Sequence, residues 1–593
     1  MCYIASDLIK LKINFKELEM SNINYDAILS RMTIEEKIAQ KLVLGWCGSI
    51  IDNSLLQFID KFGLGGLRIT QNAARKADAR YRLDAISKGA ADPAADPDSL
   101  ELPLEWGEKT LDISIYAPMI PGWKYAELLN IYKKRAYDRT GLPMHTVADF
   151  EGATCNFPVP YLISPPNAMS LGRYGDMDLV ERLYRAMAKQ LKAVGVDWIH
   201  SPVSDVNVKA ENPEISTRSF GADPAVVTAG SRALIKGCTD SGLITCMKHF
   251  PGRGDSMEDA HYSVPSVDLV LKELEAIHTS PYRTLIAEGV VPSIMLAHTV
   301  YPALDDSGDI ATCSGKIVTD YLRNELGFDG VITSDSLTMG GLINKYSLTE
   351  ACILNTLAGG DLLLMKAENA LRGKVHEELV KAVKSGRIPE EMIDASLRRI
   401  WKLKARFGLF ENANLTDTTK AEAALADPAA REVSAEAARK VIHVMRNEEN
   451  LWPLNKETKV LIVEHVTDNH TRRNHFWNYP GILNEFFQKY TENFTYLEYN
   501  PKNEQRTWDY LAKLLPMCDK VVMFGDYDRS CPGKGTRQFV EKLIDQGKPV
   551  IYCTSNPYAE LMIPDNAKNV IFTGGIMHEQ YEAVVNYLFG KQK

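Results

Sequence analysis

The chain has 593 residues, and at roughly 150 residues per domain it is too long for one ordinary unit. Hydrophobic residues at 45%, charged residues at 24%, 39 Gly and 28 Pro lie near globular averages, which excludes collagen-like, low-complexity and wholly disordered chains. With 68 Lys+Arg against 77 Asp+Glu the formal charge is −9, which argues against a nucleic-acid-binding surface and suits a small neutral substrate.

Residues 1–25 read as an N-terminal extension with no basic region ahead of its apolar residues and no small-residue cleavage site. No run in the chain reaches about 18 apolar residues, so neither export nor a membrane span is expected. Thr33, Ile34, Glu35 and Glu36 form a capping box that opens a helix, because Thr33 accepts from the third backbone N–H while Glu36 reaches back. Short apolar runs follow at 42–46, 67–70, 145–149, 198–206, 245–250, 293–298, 330–335 and 362–365. Each gives way to Gly, Pro or polar residues and then to a helical stretch. Eight such units over residues 26–410 predict a parallel (β/α)8 TIM-like barrel.

An insertion at about 71–140 is too long for a simple crossover. It carries Trp106, Tyr116 and Trp123, aromatic residues that suit either stacking against a ligand ring or a private core. Residues 411–455 read as a linker leading into a second domain at 456–593. There, runs at 459–464, 494–499, 520–524, 550–554 and 570–573 alternate with helical segments, predicting a smaller, five-stranded, doubly wound α/β sandwich. The ten cysteines include no C-x-x-C pair and read as reduced thiols of a cytoplasmic protein.

Asp149, Asp205, Lys248, His249, His298 and Asp335 all fall at or just past the end of a predicted strand, the face where barrels build active sites. The densest cluster runs from Lys248 and His249 through Pro251, Gly252, Arg253, Gly254 and Asp255 to Asp259 and His261. Asp259 and His261 are two apart, so on an extended loop the carboxylate can hold one ring nitrogen. The other nitrogen is then left to move a proton near neutral pH. Four of these residues, Asp255, Asp259, His249 and His261, also pose a metal site, but no metal-binding spacing supports it and no cofactor is expected. Asp335 ends a buried strand before a small-residue turn, which suits an ionised nucleophile; neither Ser334 nor Ser336 lies in a G-x-S-x-G elbow. His145 reads as a core or rim residue and His278 as solvated.

The segments KHFPGRGD with D-A-H, MLAHTVYPAL, ELGFDGVITSD with LTMG, and SPVSDVN with TRSFGADP resemble family 3 glycoside hydrolases, in particular their β-N-acetylhexosaminidase branch. The resemblance implies a retaining, exo-acting β-glycosidase with Asp335 as nucleophile and His261, oriented by Asp259, as acid/base. It also implies that Asp149, Arg218, Lys248 and His249 hold sugar hydroxyls, with Arg253 and His298 lining the same site. The partner is a small carbohydrate, with neither nucleic acid nor membrane. Two departures from the branch stand out. Arg253 replaces a histidine of K-H-F-P-G-H-G, adding a fixed charge that favours an anionic glycone, and the Asp149 loop lacks the glycine and arginine usual after D-x-E-G. The alternatives are a β-glucosidase or β-xylosidase, a glycoside phosphorylase, or a non-catalytic carbohydrate-binding protein. A glucosidase of this family takes its acid from the second domain, yet 524–529 offers Asp526 and Asp528 and no glutamate.

Overall fold

The computed structural model describes residues 23–47, 49–70, 120–152, 159–260, 263–365, 369–466, 481–525, 535–558 and 562–591. The Thr33–Glu36 capping box is present, with Glu36 N donating to Thr33 Oγ1 at 3.2 Å and Thr33 N to Glu36 Oε2 at 3.0 Å. It starts the helix Ile34–Lys41 that delivers the chain into the first strand.

Eight strands among the described residues form one all-parallel sheet: β1 (Leu42–Cys47), β2 (Gly66–Thr70), β3 (His145–Ala148), β4 (Trp198–Ile199), β5 (Ile244–Phe250), β6 (Ser293–Leu296), β7 (Val331–Ser334) and β8 (Leu363–Leu364). They neighbour one another in chain order, β1 pairs with β8, and a parallel bridge between Thr333 and Leu362 joins β7 to β8. The eight expected runs are thus the eight staves of a barrel, and their described side chains are buried because helices cover the outside and side chains fill the inside. The expected 198–206 run pairs as a strand only at Trp198–Ile199, after which it continues as buried loop carrying Asp205.

At the end of the barrel where the strands begin, charged groups are buried in pairs. Asp197, just before β4, takes Lys133 at 2.9 Å and Lys192 at 3.0 Å, and Asp361, before β8, takes Arg323 at 2.6 Å and Arg399 at 2.8 Å. Burial opposes the charge on Asp197, but Lys133 and Lys192 hold its carboxyl well below the ordinary range. His145 is buried against Trp198, ring centroids 4.9 Å apart, and belongs to the core.

Among the described residues the second sheet has six strands: β9 (His443–Asn447), β10 (Val460–His465), β11 (Phe494–Tyr499), β12 (Lys520–Gly525), β13 (Val550–Thr554) and β14 (Asn569–Phe572), in the order β11-β10-β12-β13-β14-β9. Alternate residues serve opposite faces: Val460 and Ile462 join one apolar cluster, Leu461 and Val463 the other. That is the signature of a sheet covered on both sides. The five-strand expectation is corrected by β9, which lies inside the expected linker and pairs antiparallel with β14. Its residues are all half-buried, so this edge strand gave no apolar run to read.

The rest of the 411–455 stretch is packed, not tethered. Gln190 Nε2 donates to the Ala424 and Leu425 carbonyls, and the helix Pro428–Lys440 contacts both the barrel helix Met177–Ala193 and the last helix, His578–Leu588. Trp123 opens the outer helix Gly122–Thr140, where its N–H meets Glu422 at 3.2 Å. Trp106 and Tyr116 lie outside the described residues.

Candidate active site

The site is built at the strands' C-terminal ends. β5 carries Lys248 and His249 where its pairing with β6 shifts register between Met247 and Phe250, an irregularity that re-aims side chains. The Lys248–His249 and Phe250–Pro251 peptides are cis. The following loop lies tightly over the barrel: a Cβ on Gly254 would stand 1.8 Å from the Val206 carbonyl oxygen, and Gly252 adopts φ +118° against His278. His278 is therefore buried, contrary to the solvated position expected from its helical setting, and burial pushes its pKa down to about 4.

Asp335 follows β7 and is 9% exposed. Its Oδ1 accepts from the Ser336 N–H at 2.6 Å, and its Oδ2 lies 3.9 Å from His249 Nε2 and 3.8 Å from Arg253 Nη2. Burial opposes ionisation here, but His298, Arg253, Lys248 and the Ser336 N–H together hold the carboxyl well below its ordinary pKa. Burial in turn lowers the pKa of His298, so near neutral pH the Arg253 guanidinium carries much of the effect.

His249 is oriented from behind by Asp205, whose Oδ2 accepts from His249 Nδ1 at 2.7 Å and from the His249 main-chain N–H at 3.1 Å. The other oxygen accepts from Arg253 N at 2.7 Å. Burial raises the Asp205 pKa to about 6 despite Arg253, and burial with Arg253, Arg218 and Lys248 lowers that of His249. With Nδ1 directed at the carboxylate, Nε2 is the nitrogen turned toward Asp335.

A second layer of charge lies beside it. Asp149, at the end of β3, is paired with Arg68, with His200 Nδ1 at 2.8 Å and with Lys248 Nζ at 3.8 Å. Glu151 pairs with Lys248 and takes Arg218 through two bonds of 2.6 and 2.9 Å. Arg253 Nη2 donates to Glu214 Oε1 at 2.6 Å. Four basic side chains (Arg68, Lys248, Arg218, Arg253) thus intermesh with four carboxylates (Asp149, Glu151, Glu214, Asp335), with Asp205 behind them.

The structure brings together Asp149, Arg218, Lys248, His249, Arg253 and Asp335 as the sequence placed them. Arg253 needs correction as a receptor for an anionic sugar, because it is 1% exposed and its charge is already matched by Glu214. His298 is fully buried behind the Asp335–Ser336 turn, with Nε2 on the Ser336 carbonyl at 3.0 Å and Nδ1 on Thr312 Oγ1 at 2.7 Å, so both ring nitrogens have protein partners. Asp259 is half-buried on the loop, its carbonyl accepting from Ser263 N at 3.1 Å. His261 lies outside the described residues, as do Asp526 and Asp528. Among the described residues no group of three or more His, Cys, Asp or Glu side chains is arranged to hold a metal ion, and no helix is long and apolar enough to cross a membrane.

Arg68, Glu151, His200 and Glu214 were not singled out from sequence as site residues. A signal existed, since three basic residues, Arg218, Lys248 and Arg253, converging on one barrel mouth require carboxylate partners, but the partners lie on separate loops.

An eight-stranded parallel barrel with acids and bases at its C-terminal face, followed by an α/β sandwich, defines a two-domain barrel-and-sandwich class, and comparison with known proteins makes it specific. Residues 121–403 match the glycosyl hydrolase family 3 N-terminal domain, so this stretch of the barrel is of the glycosyl hydrolase family 3 type. It is similar to the β-hexosaminidase A of Pseudoalteromonas piscicida, 31% identical over 313 residues that make up 49% of this chain and 51% of that protein. It is also similar to the β-N-acetylglucosaminidase/β-glucosidase of Cellulomonas fimi, 30% identical over 301 residues covering 49% and 52%. The chain thus spans about half the length of these curated relatives. Two solved structures share its fold. A family 3 β-N-acetylglucosaminidase from Paenibacillus sp. str. FPU-7 has a TM-score of 0.80 at 22% identity, covering 95% of this chain and 97% of that one. A β-glucoside phosphorylase has a TM-score of 0.73 at 18% identity, covering 98% and 95%.

Proposed function

We propose that this protein is a retaining, exo-acting β-glycosidase that removes terminal β-linked sugars, with N-acetylhexosaminides as its preferred substrates. The observation that carries the reading is Asp335, a nearly buried carboxylate at the end of β7 held ionised by surrounding positive charge and faced by the Asp205-oriented His249. A carboxylate so placed is a nucleophile for an anomeric carbon. The charge balance of the surrounding side chains suits a neutral sugar, whose hydroxyls would be held by Asp149, Arg218, Lys248 and His249. The names of the P. piscicida and C. fimi relatives favour the N-acetylated sugars.

In the first step a carboxylate oxygen of Asp335 bonds to the anomeric carbon as the bond to the leaving oxygen breaks, and the His261 imidazolium gives its proton to that oxygen. In the second, water attacks the same carbon, its proton passes to the now neutral His261, and the Asp335 carboxylate is released. Two inversions retain configuration. Asp259 would orient His261 and favour its protonated form before the first step.

The test is a panel of nitrophenyl β-glycosides (N-acetylglucosaminide, N-acetylgalactosaminide, glucoside, xyloside and glucuronide) with and without phosphate. The N-acetylated substrates should lead and the product should form first as the β-anomer by NMR. Asp335→Asn and His261→Ala should each lower turnover by about 100-fold or more. A lead for glucoside or an inverted product would overturn this reading, while a phosphate-dependent rate would make phosphate the acceptor, as the name of one fold neighbour states for that protein.

A further inference from the structure

Glu214 touches both halves of the site. Its Oε1 takes Arg253 Nη2 at 2.6 Å, and that same nitrogen stands 3.8 Å from Asp335 Oδ2. Its Oε2 accepts from the Ala260 main-chain N–H at 3.2 Å, on the peptide that joins Asp259 to the residue before His261. Both side chains of the ion pair are almost wholly buried, at 1% for Arg253 and 4% for Glu214. The backbone around them is fixed as well. Asn212 accepts from the main-chain N–H groups of Glu214 and Ile215 at 3.0 and 2.8 Å and donates to the Arg253 carbonyl at 2.9 Å. The Glu214 carbonyl takes Arg218 Nη1 at 2.8 Å, and the Ala260 carbonyl takes the N–H of Gly341, on the segment after β7, at 3.0 Å.

An isolated arginine this close to a nucleophile would form a full ion pair with it and quench it, whereas an arginine already paired tempers its charge and keeps its place. The carboxylate that does the pairing also pins the neighbouring loop. We propose that Glu214 is a positioning residue that sets the nucleophile, through Arg253, and the acid/base loop, through the Ala260 N–H, in one register. This rests on the assignment of Asp335 and the His261 loop given above. Asp335 is also faced by Lys248 and His249 from β5, by His298 after β6 and by the Ser336 N–H, so the pair adjusts a field that other groups share.

The two arms of Glu214 can be separated by a series of aryl β-glycosides of graded leaving-group acidity. Dinitrophenolate needs no proton to depart, while phenolate does. Arg253→Met should lower kcat/KM by about 10- to 100-fold, equally across the series, because it disturbs only the nucleophile side. E214Q keeps an oxygen to accept from Ala260 N and should show the same uniform loss. Glu214→Ala loses both arms and should add roughly a further tenfold loss on phenyl glycosides alone, steepening the dependence on leaving-group acidity. Trapping by a fluorinated glycosyl inactivator, read as an adduct on Asp335 by mass spectrometry, should slow in all three variants.

The inference is overturned if Glu214→Ala has the leaving-group dependence of E214Q, or if either variant raises KM with kcat unchanged. If Glu214→Ala does not fold, the E214Q/Arg253→Met double variant decides: it must be no slower than Arg253→Met alone, and additive losses would refute the shared pathway. If the native protein itself forms no adduct on Asp335, the mechanism falls first and this inference with it.

Discussion

Gly254 shows how little freedom the catalytic loop has. A methyl group there would collide with the Val206 carbonyl, which is backbone and cannot swing aside, so Gly254→Ala should destabilise the protein by about 1–3 kcal/mol and lower activity together with it. Urea unfolding of the variant beside the native protein measures the first effect. Asp205 makes a different case, because its neighbours are polar. Replacing it by Asn leaves one accepting oxygen for three N–H groups and sets an NH2 against at least one donor. Freed from its carboxylate, His249 loses its fixed tautomer. Asp205→Asn should therefore raise KM by roughly tenfold, the equivalent of one charge-assisted hydrogen bond, in steady-state assays on the best substrate of the panel.

Elements place these residues. The register shift in β5 turns Lys248 and His249 toward the mouth, where an unbroken ladder would send alternate side chains to opposite faces. In the second sheet the interior strand β10 carries Glu464 next to its last residue, a buried carboxyl that takes the Tyr496 hydroxyl and the Gly481 N–H. Burial, reinforced by Glu498, raises its pKa to about 7, against about 4.3 in an unfolded chain. Since the folded state prefers the protonated form, this contribution to stability is complete below the unfolded value and is lost as pH rises through about 7. The melting temperature of the second domain should thus fall as pH rises from about 4 to about 7 and level off above that, and Glu464→Gln should flatten the fall in calorimetry.

At the scale of the whole molecule the two sheets are joined close to the site. Asn556 Nδ2, on the loop after β13, reaches Ser216 Oγ at 3.3 Å, Asn207 Nδ2 donates to the Tyr558 hydroxyl at 2.5 Å, and Asn167 N donates to the Gly574 carbonyl at 2.8 Å. Ser216 holds φ +44° two residues before Arg218, so the second domain braces the loop that supplies Arg218 and Glu214. An Asn556→Ala/Tyr558→Phe double variant should raise KM by roughly two- to tenfold while the barrel stays folded, and hydrogen exchange should show faster opening of residues 212–221.

The apolar runs announced the barrel, the five parallel strands of the second sheet and which polar residues stand at the strand ends. A fully buried strand must be a short apolar run, and a residue ending it is legible as soon as the run is. The sequence missed β9, whose half-buried residues carry no such run, and it placed His278 in solvent although Gly252 covers it. Which charge pairs with which is set by the packing of loops distant in the chain. Glu214 and Arg253 are 39 positions apart in the chain, and nothing local to either announces the other. An arginine read alone looks like a receptor for an anion, and the carboxylate that neutralises it becomes visible only when separate loops are closed over one barrel mouth, where a buried charge must find its partner.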